Sequence, residues 1–128
     1  MSYVYPNPSS LEGKPKVDGC QCVALVRHYA KAPATSLWRE GEAVLGNKNI
    51  VPGTAIATFI KGRWPAMDHG NHAALYVGQT SDTITIIDQY CNNGRSTITR
   101  RRLKVMPKNP DGTYHRASDN AAAFSVIK

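Results

Sequence analysis

A change of apolar period near residue 50 constrains the fold more than any other feature of this chain. Before it, apolar residues recur at helical spacing; after it, they alternate or form strand-length runs cut by turn residues. Over residues 20–31, Val23, Val26 and Ala30 share a stripe that Cys22, Leu25 and Tyr29 overlap. An Asp18-Gly19 turn precedes it, and Asp18 or Cys20 can act as the cap. Pro33 ends that run, and residues 35–45 predict a second, shorter helix capped by Thr35 or Ser36. Beyond Pro52-Gly53, strands are expected over 54–60, 72–77, 83–90 and 96–105, with a last one within 121–127. Helices first and an antiparallel meander afterwards make an α+β domain. Residues 1–17, rich in Pro, Ser, Gly and Lys, are expected to lie over it as an extended arm.

One domain is expected over residues 1–128, long enough to bury a core without metal or several cross-links. No apolar run approaches the roughly 20 residues that span a bilayer, so no membrane insertion is expected. The first residues have neither a basic start nor an apolar stretch, which argues against a Sec-type signal peptide. The protein is expected either to stay in the cytosol or to leave by a route that reads no such signal. A net charge of +7 would attract nucleic acid, anionic membrane or anionic cell wall. Its densest cluster, Arg100-Arg101-Arg102-Leu103-Lys104, reads equally well as a solvated strand edge. No RNA-binding aromatic signature, helix-turn-helix pattern or zinc-finger spacing accompanies it, so no nucleic-acid partner is expected.

The chain has three cysteines, which one catalytic thiol plus a disulfide would account for, as would three reduced thiols. Metal binding fits poorly: Cys20 and Cys22 are too close for a CxxC knuckle, and the four histidines show no paired ligand pattern. No metal or cofactor is expected. Cys22 instead opens the first helical run, His72 opens a strand, and Asp88 lies on the next strand. A cysteine attacks as thiolate, a form favoured by the unpaired N–H groups of a helix start and by a neighbouring imidazole. The imidazole needs an acceptor on its other nitrogen to fix its tautomer, and Asp88 can supply one from a neighbouring antiparallel strand. The Cys22 N–H is a natural donor to an oxyanion, while Gln21, Trp64 and Gln89 are candidates for further oxyanion or substrate contacts.

Each residue alone also fits a plainer role: an inert core cysteine, a satisfied histidine, an aspartate paired with an arginine of 100–102, a tryptophan that anchors the core. The joint arrangement favours chemistry. Of the two neighbouring thiols, Cys22 has Leu25 and Val26 three and four positions on, an apolar face that would seat the helix. Residues two apart on a helix diverge by about 200°, so Cys20 would face away from His72. Cys20 is then free to pair with Cys91, near the same end of the sheet, or to remain reduced like it.

The stretch Gln21-Cys22-Val23-Ala24-Leu25-Val26 resembles the nucleophile helix of CHAP and NlpC-type papain-like peptidoglycan amidases, and Gly70-Asn71-His72-Ala73-Ala74-Leu75-Tyr76-Val77 their glycine-histidine strand. Pro52-Gly53-Thr54-Ala55-Ile56-Ala57 is similar to the lead-in to their first sheet strand. Ile86-Ile87-Asp88-Gln89-Tyr90 is similar to the strand carrying their third polar residue, with Asp88 in place of a glutamate and Tyr90 in place of an asparagine. The compact, basic chain resembles in particular the type VI secretion amidase effectors of family two. The resemblance implies a papain-like fold with N-terminal helices packed on an antiparallel sheet. It further implies a cysteine amidase toxin acting in the periplasm of rival bacteria, with the D-alanine–meso-diaminopimelate crosslink of peptidoglycan as substrate. A cognate immunity protein and the type VI secretion machinery are the partners it implies. Two other readings are a non-catalytic basic module that grips cell wall or nucleic acid, and a papain-like acyltransferase.

Overall fold

The computed structural model describes residues 2–128. Its α-helix, α1, spans Cys22–Tyr29; the strands are β1 (Glu40–Ala43), β2 (Ala55–Thr58), β3 (Ala73–Gln79), β4 (Thr83–Asp88), β5 (Thr99–Lys104) and β6 (Phe124–Ile127). They form one sheet in the order β1-β6-β2-β3-β4-β5, with every neighbouring pair antiparallel. Strands β2 to β5 are the expected meander. The tail strand β6 does not extend it but enters between β1 and β2, because the free edge of β2 accepts it with Ile56 opposite Val126 and Thr58 opposite Phe124.

The second helix expected over 35–45 is absent. A 3-10 turn covers Thr35–Leu37, and the chain then extends into β1. The segment Glu40-Gly41-Glu42-Ala43 is polar and largely exposed, so it has no apolar stripe with which to seat a helix. Its backbone pairs instead around β6, with Arg39 and Lys128 exchanging both N–H to carbonyl bonds at 2.7 and 2.8 Å.

Period-two alternation sorts the apolar residues onto two faces. On one, Ala55, Ala57, Ala73, Leu75, Ile87 and Ile127 meet Leu25 and Val26 of α1, together with Leu11 and Trp38. On the other, Ile56, Ala74, Tyr76, Ile84, Ile86 and Leu103 meet Val44 and Phe124. All four residues of β2 are buried, which explains its nearly unbroken apolar run. Fully buried side chains such as Leu25 and Ile87 stabilise the fold by about 2 kcal/mol each.

The N-terminal arm is more than a cover. It carries a 3-10 turn, Pro8–Leu11, and places Leu11 in the core with no exposure. Its Tyr5 N–H donates to the Gly53 carbonyl at 2.9 Å, and a Cβ at residue 53 would overlap the Tyr5 carbonyl. With φ at +93° as well, that position demands glycine. Cys20 and Cys91 form a disulfide, with Cα atoms 4.8 Å apart, that ties the approach to α1 to the segment after β4. Among the described residues no helix is long and apolar enough to cross a membrane.

Candidate active site

The register of β3 and β4, with Leu75 opposite Ile87 and Tyr76 opposite Ile86, sets the site's geometry. Counting in steps of two, His72 shares a face with Ala74, and Asp88 with Ile86; these are the same side of the sheet. His72 Nε2 lies 2.7 Å from Asp88 Oδ2. His72 falls one residue before β3, yet its backbone is fixed on both sides by Thr58, whose Oγ1 accepts its N–H and whose N–H donates to its carbonyl, each at 3.0 Å.

Cys22 is the first residue of α1 and the free cysteine among the described residues. Its N-cap, Gln21, makes no side-chain cap bond, so no capping side chain consumes the first-turn N–H groups. Cys22 and His72 line the same cleft, and the thiol is near enough to the imidazole to favour its charged form. Since Nε2 is engaged by Asp88, Nδ1 is the nitrogen left for the thiol. Burial is the largest single influence on the imidazole and pushes its pKa down. The hydrogen bonds and charges of Asp88 and Cys22 together outweigh it, raising the pKa from 6.5 to about 9.

Asp88 is wholly inaccessible, at 0% exposure. Burial alone would raise its pKa, but His72 and Arg101 hold it below the usual carboxylate range. Arg101 donates from Nε and Nη2 to Asp88 Oδ2 at 2.9 and 2.8 Å, and Thr99 Oγ1 donates to Oδ1 at 2.9 Å. The plainer reading of Asp88 as an arginine partner and the reading as imidazole acceptor therefore hold at once. Tyr90 meets His72 edge-on at 5.6 Å, and the Arg101 guanidinium lies 5.0 Å over the Tyr90 ring. Phe124 makes a second edge-on contact with His72 at 6.4 Å.

Cys22 and His72 open onto a cleft of about 680 Å³ lined by parts of the 64–72 loop and by residues 90–92, 101 and 118–119. Gln21 lines it, as do His69 and Trp64, the latter packed edge-on against buried Trp38 at 5.2 Å. Gln89 does not reach it. Adjacent to Asp88 in a strand, it points to the opposite face, where Oε1 accepts from the Val17 N–H and Nε2 donates to the carbonyls of Val17 and Gln21. It clamps the approach to α1 and is fully buried there, with both amide N–H groups engaged. Sequence reasoning assigned no site role to Thr99, Arg101 or Tyr90. The β4–β5 pairing sets Thr99 opposite Asp88 and Arg101 opposite Ile86, so the period that places Asp88 also places them. Among the described residues no cluster of His, Cys, Asp or Glu is arranged to hold a metal ion.

The family model described as domesticated amidase effector 2 matches residues 2–127. A curated relative from Salmonella typhi, the type VI secretion amidase effector 2 protein, is 40% identical over 133 residues and spans all of both chains. A solved structure of type 6 secretion amidase effector 2 superposes with a TM-score of 0.91 at 40% identity, covering 98% of this chain and 94% of that one.

Proposed function

The chain belongs to the domesticated amidase effector 2 family, and from that membership we propose an antibacterial type VI secretion effector that hydrolyses peptidoglycan amide bonds with Cys22 as nucleophile. The observation that carries this reading is Cys22 beside a His72–Asp88 hydrogen-bonded pair, with Cys22 and His72 both opening on a cleft large enough for a peptide. A helix-borne thiol, a strand-borne imidazole and a carboxylate on the next strand make up a papain-like arrangement within a single domain, residues 1–128.

With its pKa near 9, His72 is an imidazolium at neutral pH and can pair with the Cys22 thiolate. The thiolate sulfur attacks the amide carbon, and the oxygen that gains charge is met by the Cys22 N–H, with Gln21 beside it at the cleft. As the C–N bond breaks, His72 gives its proton to the departing amine, leaving a thioester on Cys22 and a neutral imidazole. Water then attacks the thioester while His72 takes one of its protons. Loss of the thiolate yields the carboxylic acid product and restores the ion pair. Asp88 keeps the ring oriented and supports its charge throughout.

The D-alanine–meso-diaminopimelate crosslink is the bond proposed, from the resemblance of the motifs. Delivery by the secretion machinery into the target periplasm, and protection of the producer by an immunity protein, are proposed on the same footing. Cys22→Ala tests the reading. Chromatography of purified muropeptides should show cleavage by the parent and none by the variant, with circular dichroism unchanged. Full cleavage by Cys22→Ala would end the proposal. Products carrying a new acceptor instead of a free carboxylate would favour the acyltransferase.

A further inference from the structure

One oxygen of Asp88 serves two donors. Oδ2 accepts from His72 Nε2 at 2.7 Å and from Arg101 Nη2 and Nε at 2.8 and 2.9 Å. Orienting an imidazole requires only the first of these, and the guanidinium adds a permanent positive charge beside it. We propose that Arg101 is a positioning residue of the reaction: by sharing Asp88 Oδ2 with His72, it sets how tightly the imidazole keeps the proton that must pass to the departing amine. This rests on the reading of His72 as acid and base.

Arg101 is held to that task from three directions. Its side chain is only 24% exposed; Asp119 Oδ1 accepts from Nη1 at 3.1 Å, Asp88 takes the other side, and the Tyr90 ring lies under the guanidinium at 5.0 Å. Tyr90 is in turn the edge-on neighbour of His72. The guanidinium thus touches the groups around the imidazole through Asp88 and Tyr90. If it served only to neutralise a buried carboxylate, its loss would lower stability and leave the chemistry of His72 unchanged.

The charges around His72 give a definite sign. Cys22 faces it from α1, Asp88 from β4, Tyr90 from just beyond β4, and Arg101 from β5 by way of Asp88. Asp119 stands behind Arg101, and Asp68 and His69 line the same cleft from its own loop. Thr58 beside β3 and Phe124 of β6 are uncharged. Two cations on one carboxylate oppose each other. Without Arg101 the full charge of Asp88 would fall on the imidazolium, which would hold its proton more firmly and be a poorer acid toward the amine.

The test compares Arg101→Gln with Arg101→Lys, both in the full chain with its disulfide intact. The first readout is an NMR titration of the His72 ring, made in a Cys22→Ala background so that no turnover is needed. Arg101→Gln should raise the pKa by about one unit, the effect of removing a partly exposed cation a few ångströms away, and Arg101→Lys by less than about 0.3. The second readout is kinetics on crosslinked muropeptide at neutral pH. There Arg101→Gln should lower kcat about tenfold with KM within about twofold of the parent, while Arg101→Lys retains most of kcat. Asp119→Asn gives the reverse perturbation at a more exposed position and should lower the His72 pKa, which keeps the idea testable if Arg101→Gln does not fold. A His72 pKa unchanged or lowered in Arg101→Gln overturns the proposal, and so does a raised pKa with kcat untouched. An active Cys22→Ala enzyme would instead overturn the thiol mechanism, and the titration would still read Arg101.

Discussion

Asp88→Asn changes the charge of the buried carboxylate with almost no change of shape. The parent side chain has no exposure and accepts from His72, Arg101 and Thr99. An amide keeps one acceptor oxygen but turns donors toward the imidazole or the guanidinium, so one of those cations loses its partner. Breaking a buried pair costs about 3–5 kcal/mol when the survivor stays buried. His72 does stay buried, whereas Arg101 is 24% exposed and keeps Asp119, so a loss of about 3 kcal/mol is expected. The linkage from the other partner agrees. A pKa raised from 6.5 to about 9 contributes stability that is fully present below pH 6.5 and lost as pH rises through about 9. At 1.36 kcal/mol per pH unit that is also about 3 kcal/mol, the net of burial against Asp88 and Cys22 together, and it is not added to the first figure. In Asp88→Asn, burial and Cys22 remain while the carboxylate is gone, so the His72 pKa should fall well below 9 and the alkaline loss should shrink. Urea titrations of parent and variant between pH 6 and pH 9, at constant m-value, measure both effects. A variant within about 0.5 kcal/mol of the parent at pH 6, or one with the parent's alkaline slope, would refute the reasoning.

His72→Ala should lower muropeptide turnover by about 10³-fold, and His69→Ala, on the exposed loop, by less than about tenfold; the reverse ranking in kcat would misassign the base. Reducing the Cys20–Cys91 bridge opens a loop of 71 residues and should cost up to about 4 kcal/mol, visible as a lower Tm with reductant; an unchanged Tm would mean that the bridge braces nothing. Gly53→Ala should destabilise the fold by about 2 kcal/mol or more by displacing Tyr5, and a neutral urea midpoint would show that the arm is not packed there.

What was legible in the sequence followed local period. Cys22 at a helix start, His72 at a strand start and Asp88 on the next strand are features of neighbouring residues, and the hairpin between β3 and β4 is short enough to bring the last two together. Gln89 departs from its expected place at the cleft because of strand parity: a residue next to Asp88 must face the other side. The same parity, carried across one more turn, points to Thr99 and Arg101. The missed strand β1 has a different cause. Nothing within Glu40–Ala43 specifies extension, since the residues are polar and exposed, and their conformation is set by pairing with β6, some eighty residues later. Nor does local pattern say where β6 enters the sheet, because any free edge offers the same hydrogen bonds.

That placement bears on when the molecule can become a catalyst. The meander of β2 to β5 is complete by residue 104, but its β2 edge stays open until residues 124–127 arrive to fill it. Phe124, one of the two rings holding the His72 imidazole edge-on, comes with that strand. A chain still missing its final stretch thus has every reactive side chain named above and lacks one of the two rings that brace the imidazole. The imidazole is therefore fully braced only after the last strand is in place.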